Sequence, residues 1–183
     1  MAKKMKGFAA AALLAAVAFT LLYRAGLAVL PLAVTFGTVA YHLCVRLVMG
    51  AVFNAVMGNR ADYTRRWYQP KAWEPRLYDA LGVRQWKSKM PTYASESFDP
   101  ARHSWDEIAQ AMCQSELVHD TNVLFRFVPI LFSVWVGDAA VFIITSVLAA
   151  AFDMIFVIMQ RYTRPTVIRI AQRAANRQSI KTA

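Results

Sequence analysis

Four polar residues stand where an apolar stretch is beginning: Glu116, His119, Asn122 and Arg126, all within "SELVHDTNVLFRF". An ionisable group at bilayer depth is costly unless it is paired or meets water, so its presence there is a default sign of function. A helix turns by about 100° per residue, which gathers these four side chains within roughly 120° of one face. A histidine one turn from a carboxylate has the two parts of a general base: an imidazole that titrates near neutrality and an acceptor that fixes its tautomer. His119 with Glu116 could therefore deprotonate a hydroxyl for attack on an acyl donor. A second stripe, Asp153, Gln160 and Arg164, falls within roughly 40° of one face if the last helix persists that far. Pro165 leaves Arg164 its least constrained member, because the residue before proline resists helical geometry.

Folding the chain about Gly137 and Asp138 sets Asn122 opposite Asp153, His119 opposite Phe156 and Glu116 opposite Met159. Arg126 then lies about one turn, ~5 Å, deeper than Asp153. That is within a guanidinium's reach and predicts a buried pair. A purely structural reading competes, since polar groups also fasten membrane helices to one another. The "ExxH" spacing occurs in di-iron bundles too, but those need a second such motif and two further glutamates on separate helices. The sequence has neither, so no metal is expected. Nor does it contain a GxSxG elbow, an HExxH pair, a Walker loop or a GxGxxG run.

The elements that carry these stripes follow from composition. Of the 183 residues 57% are hydrophobic and the mean hydropathy is +0.33, beyond the range of an ordinary soluble domain. The expected fold is all-α: an integral membrane helical bundle of about four transmembrane helices with an amphipathic interfacial segment. A net charge of +10 fits anionic lipid head groups or phosphate-bearing substrates better than nucleic acid, because the basic residues flank apolar runs. Cys44 and Cys113 form neither a disulfide framework nor a zinc spacing.

Residues 1–58 hold two spans and an interfacial extension, with Pro31 in the first turn of the second span and Arg46 placed to snorkel. Residues 59–120 mix Lys and Arg with Trp67, Trp73, Trp86 and Trp105, a composition of head-group depth. This segment also contains the start of the candidate catalytic helix, where Ser104 and Glu107 form a capping box. That helix continues into the apolar segment ending at Val136. Residues 121–160 form a transmembrane hairpin, and 161–183 a basic tail. The Lys and Arg distribution puts both termini and the central segment in the cytoplasm of a multi-pass cell-membrane protein.

Three blocks, "VRQWKSK" (83–89), "SELVH" (115–119) and "QRYTRP" (160–165), resemble in order and spacing the glycosyl-4,4'-diaponeurosporenoate acyltransferase family of staphyloxanthin-type carotenoid biosynthesis. Trp86, Lys87, Glu116, His119, Gln160, Arg161, Tyr162, Arg164 and Pro165 match the family's pattern. The chain departs from it at Ala111 and Gln114, where the family has Glu and Arg, and at Thr163 and Thr166, where it has Asn and Arg. The family's Asn-x-Pro in the last span becomes Asp153 and Ile155.

The resemblance implies transfer of a fatty acyl group, with acyl-CoA as co-substrate and no resident cofactor, to a hydroxyl of a glycosylated lipid or another hydroxylated membrane lipid. His119 would be the base and Glu116 its partner. Arg161 and Arg164 would contact the donor's phosphates. Gln160, Tyr162, Trp86 and Lys87 would contribute to substrate binding, while Asn122, Arg126 and Asp153 support the site. The alternative from another class is a non-catalytic membrane scaffold or lipid-binding subunit of a larger complex, whose stripes only join helices.

Overall fold

The computed structural model describes residues 2–90 and 95–182, and every regular element among them is helical. The long helices are α1 (Ala2–Arg24), α2 (Leu30–Met57), α5 (Trp105–Phe125), α6 (Val128–Val136) and α7 (Ala139–Thr182), with the short α3 (Glu74–Ala80) and α4 (Val83–Trp86) between α2 and α5. Four stretches are long and apolar enough to cross a membrane: Lys3–Arg24, Leu30–Met57, Trp105–Val136 and Ala139–Arg177. The chain forms two compact units, Met1–Val52 with Asp120–Met154, and Phe53–His119 with Ile155–Ala183.

In the first unit α1 buries Ala9, Ala12 and Ala16, a stripe of small side chains of the kind that lets membrane helices approach closely. Phe19 stacks on Phe36 of α2 with ring centroids 5.4 Å apart. The segment from Trp105 to Val136 is not one helix, as the sequence reading had it. It breaks after Phe125 because Pro129 has no N–H for the carbonyl four residues back, and its ring crowds that carbonyl. The carbonyl so released belongs to Phe125, and the Tyr41 hydroxyl donates to it at 2.9 Å. In an apolar medium such a replacement is required, since no water is at hand to satisfy a bare carbonyl. Gly137 and Asp138 turn the chain into α7 with φ of 82° and 52°, a left-handed pair that only a short polar residue or glycine adopts readily.

In the second unit α2 ends at Gly58 and Asn59, with φ of 55° and 61°, and the Asn59 N–H donates to Oε1 of Gln114 at 2.7 Å. Gln114, a departure from the family pattern, is thus part of a helix terminus. The expected capping box is formed: the Ser104 N–H donates to Glu107 Oε2 at 2.8 Å and the Glu107 N–H to Ser104 Oγ at 3.3 Å. Ile108, Ala109 and Met112 of α5 and Val167 of α7 form the core, flanked by Tyr63, Phe98, Trp105 and Ile168.

The expected tail is helical, and α7 passes through Pro165 without ending. An interior proline costs a helix about 3 kcal/mol. Burial of Val167 and the ion pairs on either side of residue 162 offset that cost.

Candidate functional site

The second unit brings Arg161 and Arg164 together around Glu116, and Arg161 adds a fourth residue, Glu74. Glu116 is 0% exposed, and its two oxygens accept from different guanidiniums. Oε1 takes Nη1 of Arg161 at 2.6 Å, and Oε2 takes Nη1 of Arg164. Arg161 also donates from Nε and Nη2 to Glu74 Oε1, at 2.8 and 2.6 Å. It further donates to the carbonyls of Trp67 and Gln69, at 3.2 and 3.3 Å. These five bonds match the five N–H groups a guanidinium possesses. Arg164, only 2% exposed, donates from Nη2 to the Tyr68 carbonyl at 2.6 Å and lies over the Tyr68 ring at 5.1 Å. Two acids and two guanidiniums give a set of zero formal charge, the condition under which buried ions are tolerated.

Helical spacing explains the local geometry. Arg161 and Arg164, three apart on α7, are neighbours on its surface and bracket one carboxylate. Glu74 opens α3 and accepts from the Tyr78 hydroxyl, one turn on, at 2.9 Å. Burial first, and then this bond to the Glu74 carboxylate, push the Tyr78 phenol above its ordinary range. The Tyr78 ring meets Tyr162 edge to face at 5.3 Å, and Lys87 Nζ stands 4.5 Å from the centre of the Tyr162 ring. Gln160 donates to Ser115 Oγ at 3.1 Å. The Trp86 indole N–H donates to the Leu81 carbonyl at 2.9 Å, closing the turn that carries Lys87. His119, 8% exposed, stacks on Phe156 with centroids 4.7 Å apart and ring planes within 9°, the facing expected from the turn at residues 137 and 138.

The first unit holds the other expected pair. Arg126 donates to Asp153 Oδ2 through Nε at 2.8 Å and through Nη2 at 2.5 Å, and its Nη1 reaches the His42 carbonyl. Arg46 was expected to snorkel. Instead it donates to Asp153 Oδ1 at 3.0 Å and lies over Phe152 at 5.2 Å, because a buried carboxylate within reach holds it more strongly than water does. Asn122 is fully buried, and its amide nitrogen and oxygen have no hydrogen-bond partner among the described residues.

Sequence reasoning missed Glu74, Tyr78 and Tyr68, which depend on how residues 59–104 fold. The only local signal was the four-residue spacing of Glu74 and Tyr78. Among the described residues, no three His, Cys, Asp or Glu side chains come together as a metal's ligand set requires.

Comparison with curated proteins finds no match, and comparison with solved structures finds none either. Comparison with protein families matches residues 64–173, more than half of the chain and the stretch that contains every residue of the ion cluster, to one family. The chain belongs to the glycosyl-4,4'-diaponeurosporenoate acyltransferase family, transferases of carotenoid biosynthesis.

Proposed function

We propose that this protein transfers a fatty acyl group from acyl-CoA to a hydroxyl of a glycosylated or otherwise hydroxylated membrane lipid, with His119 as general base. The observation that carries the reading is the imidazole of His119, buried against Phe156 one helical turn from the charge-neutral cluster centred on Glu116. An imidazole titrates near neutrality. In the proposed step it takes the proton of the acceptor hydroxyl while that oxygen attacks the thioester carbonyl. The C–S bond then breaks, and the departing thiolate recovers the proton from the imidazolium.

Glu116 is a positioning residue in this scheme. It ties the turn of α5 that carries His119 to α7 through Arg161 and Arg164. The distribution of basic residues supports cytoplasmic termini: Lys3, Lys4 and Lys6 lie at the start of the first span and Arg169, Arg173 and Arg177 at the far end of the last helix, while the α1–α2 and α6–α7 connections hold few charges.

A second reading has its own observation. Glu74, Glu116, Arg161 and Arg164 pair with one another, as residues that only fasten helices do, which suits a non-catalytic scaffold. One experiment separates the two. Purified protein in lipid discs receives radiolabelled acyl-CoA and total membrane lipids of its host, and wild type is compared with His119→Ala. A labelled lipid formed by wild type alone supports the transferase and identifies its acceptor. Full turnover by a folded His119→Ala protein removes the base assignment. Absence of product from a folded wild type favours the scaffold.

A further inference from the structure

Acyl-CoA carries phosphates, and the residues that sequence matching nominates for them are already engaged. Arg161 makes five hydrogen bonds within the protein, and Arg164 is sealed at 2% exposure between Glu116 and Tyr68. To take a phosphate Arg164 would have to abandon the buried carboxylate of Glu116, and Arg161 would have to give up a backbone carbonyl of Trp67 or Gln69 or one of its two carboxylates; breaking a buried ion pair is strongly destabilising. The two carboxylates of the cluster are likewise occupied, so the set as a whole presents no net charge to a substrate.

We propose that Lys87 is the residue that receives a phosphate of the acyl donor, and that Arg161 and Arg164 serve only to hold the helices. Lys87 is half-buried and in contact with the cluster's aromatic edge. Its ammonium rests on Tyr162, Tyr162 on Tyr78, and Tyr78 donates to Glu74. A cation lodged on an aromatic face keeps its position while its N–H groups remain able to donate outward. An ammonium has three such donors and suits a phosphate as a compact point charge. Lys87 begins a 3-10 turn, Lys87–Lys89, that directly follows α4. The Trp86 indole bond to Leu81 and the left-handed Gly82, with φ of 58°, set the direction in which that turn leaves the helix. The phosphate could also come from a phospholipid head group, and the test is built to separate the two sources.

This inference rests on acyl-CoA being the donor, so binding and turnover are measured separately. Calorimetric titration with coenzyme A alone, in discs of zwitterionic lipid, should show binding to wild type and to Lys87→Arg, with a loss in Lys87→Gln of roughly 3- to 10-fold, the size expected of a partly exposed charge contact. Arg84→Gln, an exposed neighbouring cation away from Tyr162, should bind as wild type does. In turnover the same loss should appear in KM, with kcat held.

Wild-type affinity in Lys87→Gln, or a loss in kcat without a change in KM, overturns the assignment even if the protein proves a transferase. A Lys87→Gln defect that is absent in zwitterionic discs and emerges only as anionic lipid is added assigns the phosphate to a head group and overturns the donor role. Coenzyme A binding that depends on Lys87 without turnover would uphold this site and remove the transferase reading.

Discussion

Replacing Glu116 with leucine tests whether the ion cluster behaves as one unit. The carboxylate is fully buried and serves two guanidiniums, but the damage should fall on only one of them. Arg161 keeps Glu74 through Nε and Nη2, whereas Arg164 keeps the Tyr68 carbonyl and ring but no carboxylate, while remaining buried. Stranding a buried charge in this way costs about 3–5 kcal/mol. For a chain of this length that corresponds to a fall of roughly 6–20 °C in the unfolding midpoint.

Arg164→Leu should cost less, about 1.5–3 kcal/mol, the worth of a hydrogen bond to a charged group, because Glu116 retains Arg161. The double substitution removes both unpaired partners and leaves the Arg161 and Glu74 pair whole. Its cost should fall short of the sum of the single costs by ~1.5 kcal/mol or more. The assay is thermal unfolding in lipid discs, followed by maleimide labelling of Cys113. That thiol is 0% exposed, and a Cys44→Ser background removes the exposed one. If the single costs simply add, or if Glu116→Leu melts with wild type, the cluster is not the coupled unit described.

Other expectations are independent of this one. Asp153→Leu should destabilise by at least ~3–5 kcal/mol, since it faces both Arg46 and Arg126. A midpoint within a degree or two of wild type would show those contacts to be dispensable. Asn122→Leu should be neutral or stabilising, because an unpartnered buried amide gives up a desolvation cost of ~1–3 kcal/mol when it is replaced by an apolar group of similar volume. A lowered midpoint would mean that the amide has a favourable role.

Tyr63 donates to Asp106 at 2.7 Å. That bond, and secondarily burial, raises its pKa to about 12. Because the folded value lies above the unfolded ~10, the stabilisation is complete below pH ~10 and is lost as pH rises through about 12. Tyr63→Phe should flatten that part of the alkaline unfolding curve, and an unchanged curve would refute the coupling.

The contacts legible in the sequence were those fixed by helical period and one tight turn. Arg126 meets Asp153, and His119 faces Phe156, because counting residues outward from Gly137 and Asp138 suffices to bring them together. The capping box at Ser104 was legible for the same reason: its parts are three residues apart. Two local signals were outweighed or overlooked. Pro129 was visible as a helix breaker, yet the apolar run around it read as continuous. Pro165 was read as a limit to the helix, but burial of Val167 and the arginine pairs carry α7 past it.

The partners of Glu116 were not legible at all. Period can place Glu116, Arg161 and Arg164 on their helix faces, but it cannot weigh an imidazole on the same helix against two guanidiniums on another. Glu74 was beyond reach because it sits after an irregular stretch, where no spacing rule connects sequence distance to position in space.

The hydroxyl of Tyr41 on the Phe125 carbonyl also constrains the order in which this chain can evolve. With Pro129 in place, loss of Tyr41 leaves that carbonyl without a donor in the apolar medium of the span, so lineages that change position 41 first meet a penalty. Loss of Pro129 first restores an N–H that can serve the carbonyl, after which position 41 is released. Descendants should therefore include chains that have a tyrosine without the proline, and few or none with the proline and no hydroxyl-bearing residue in Tyr41's place.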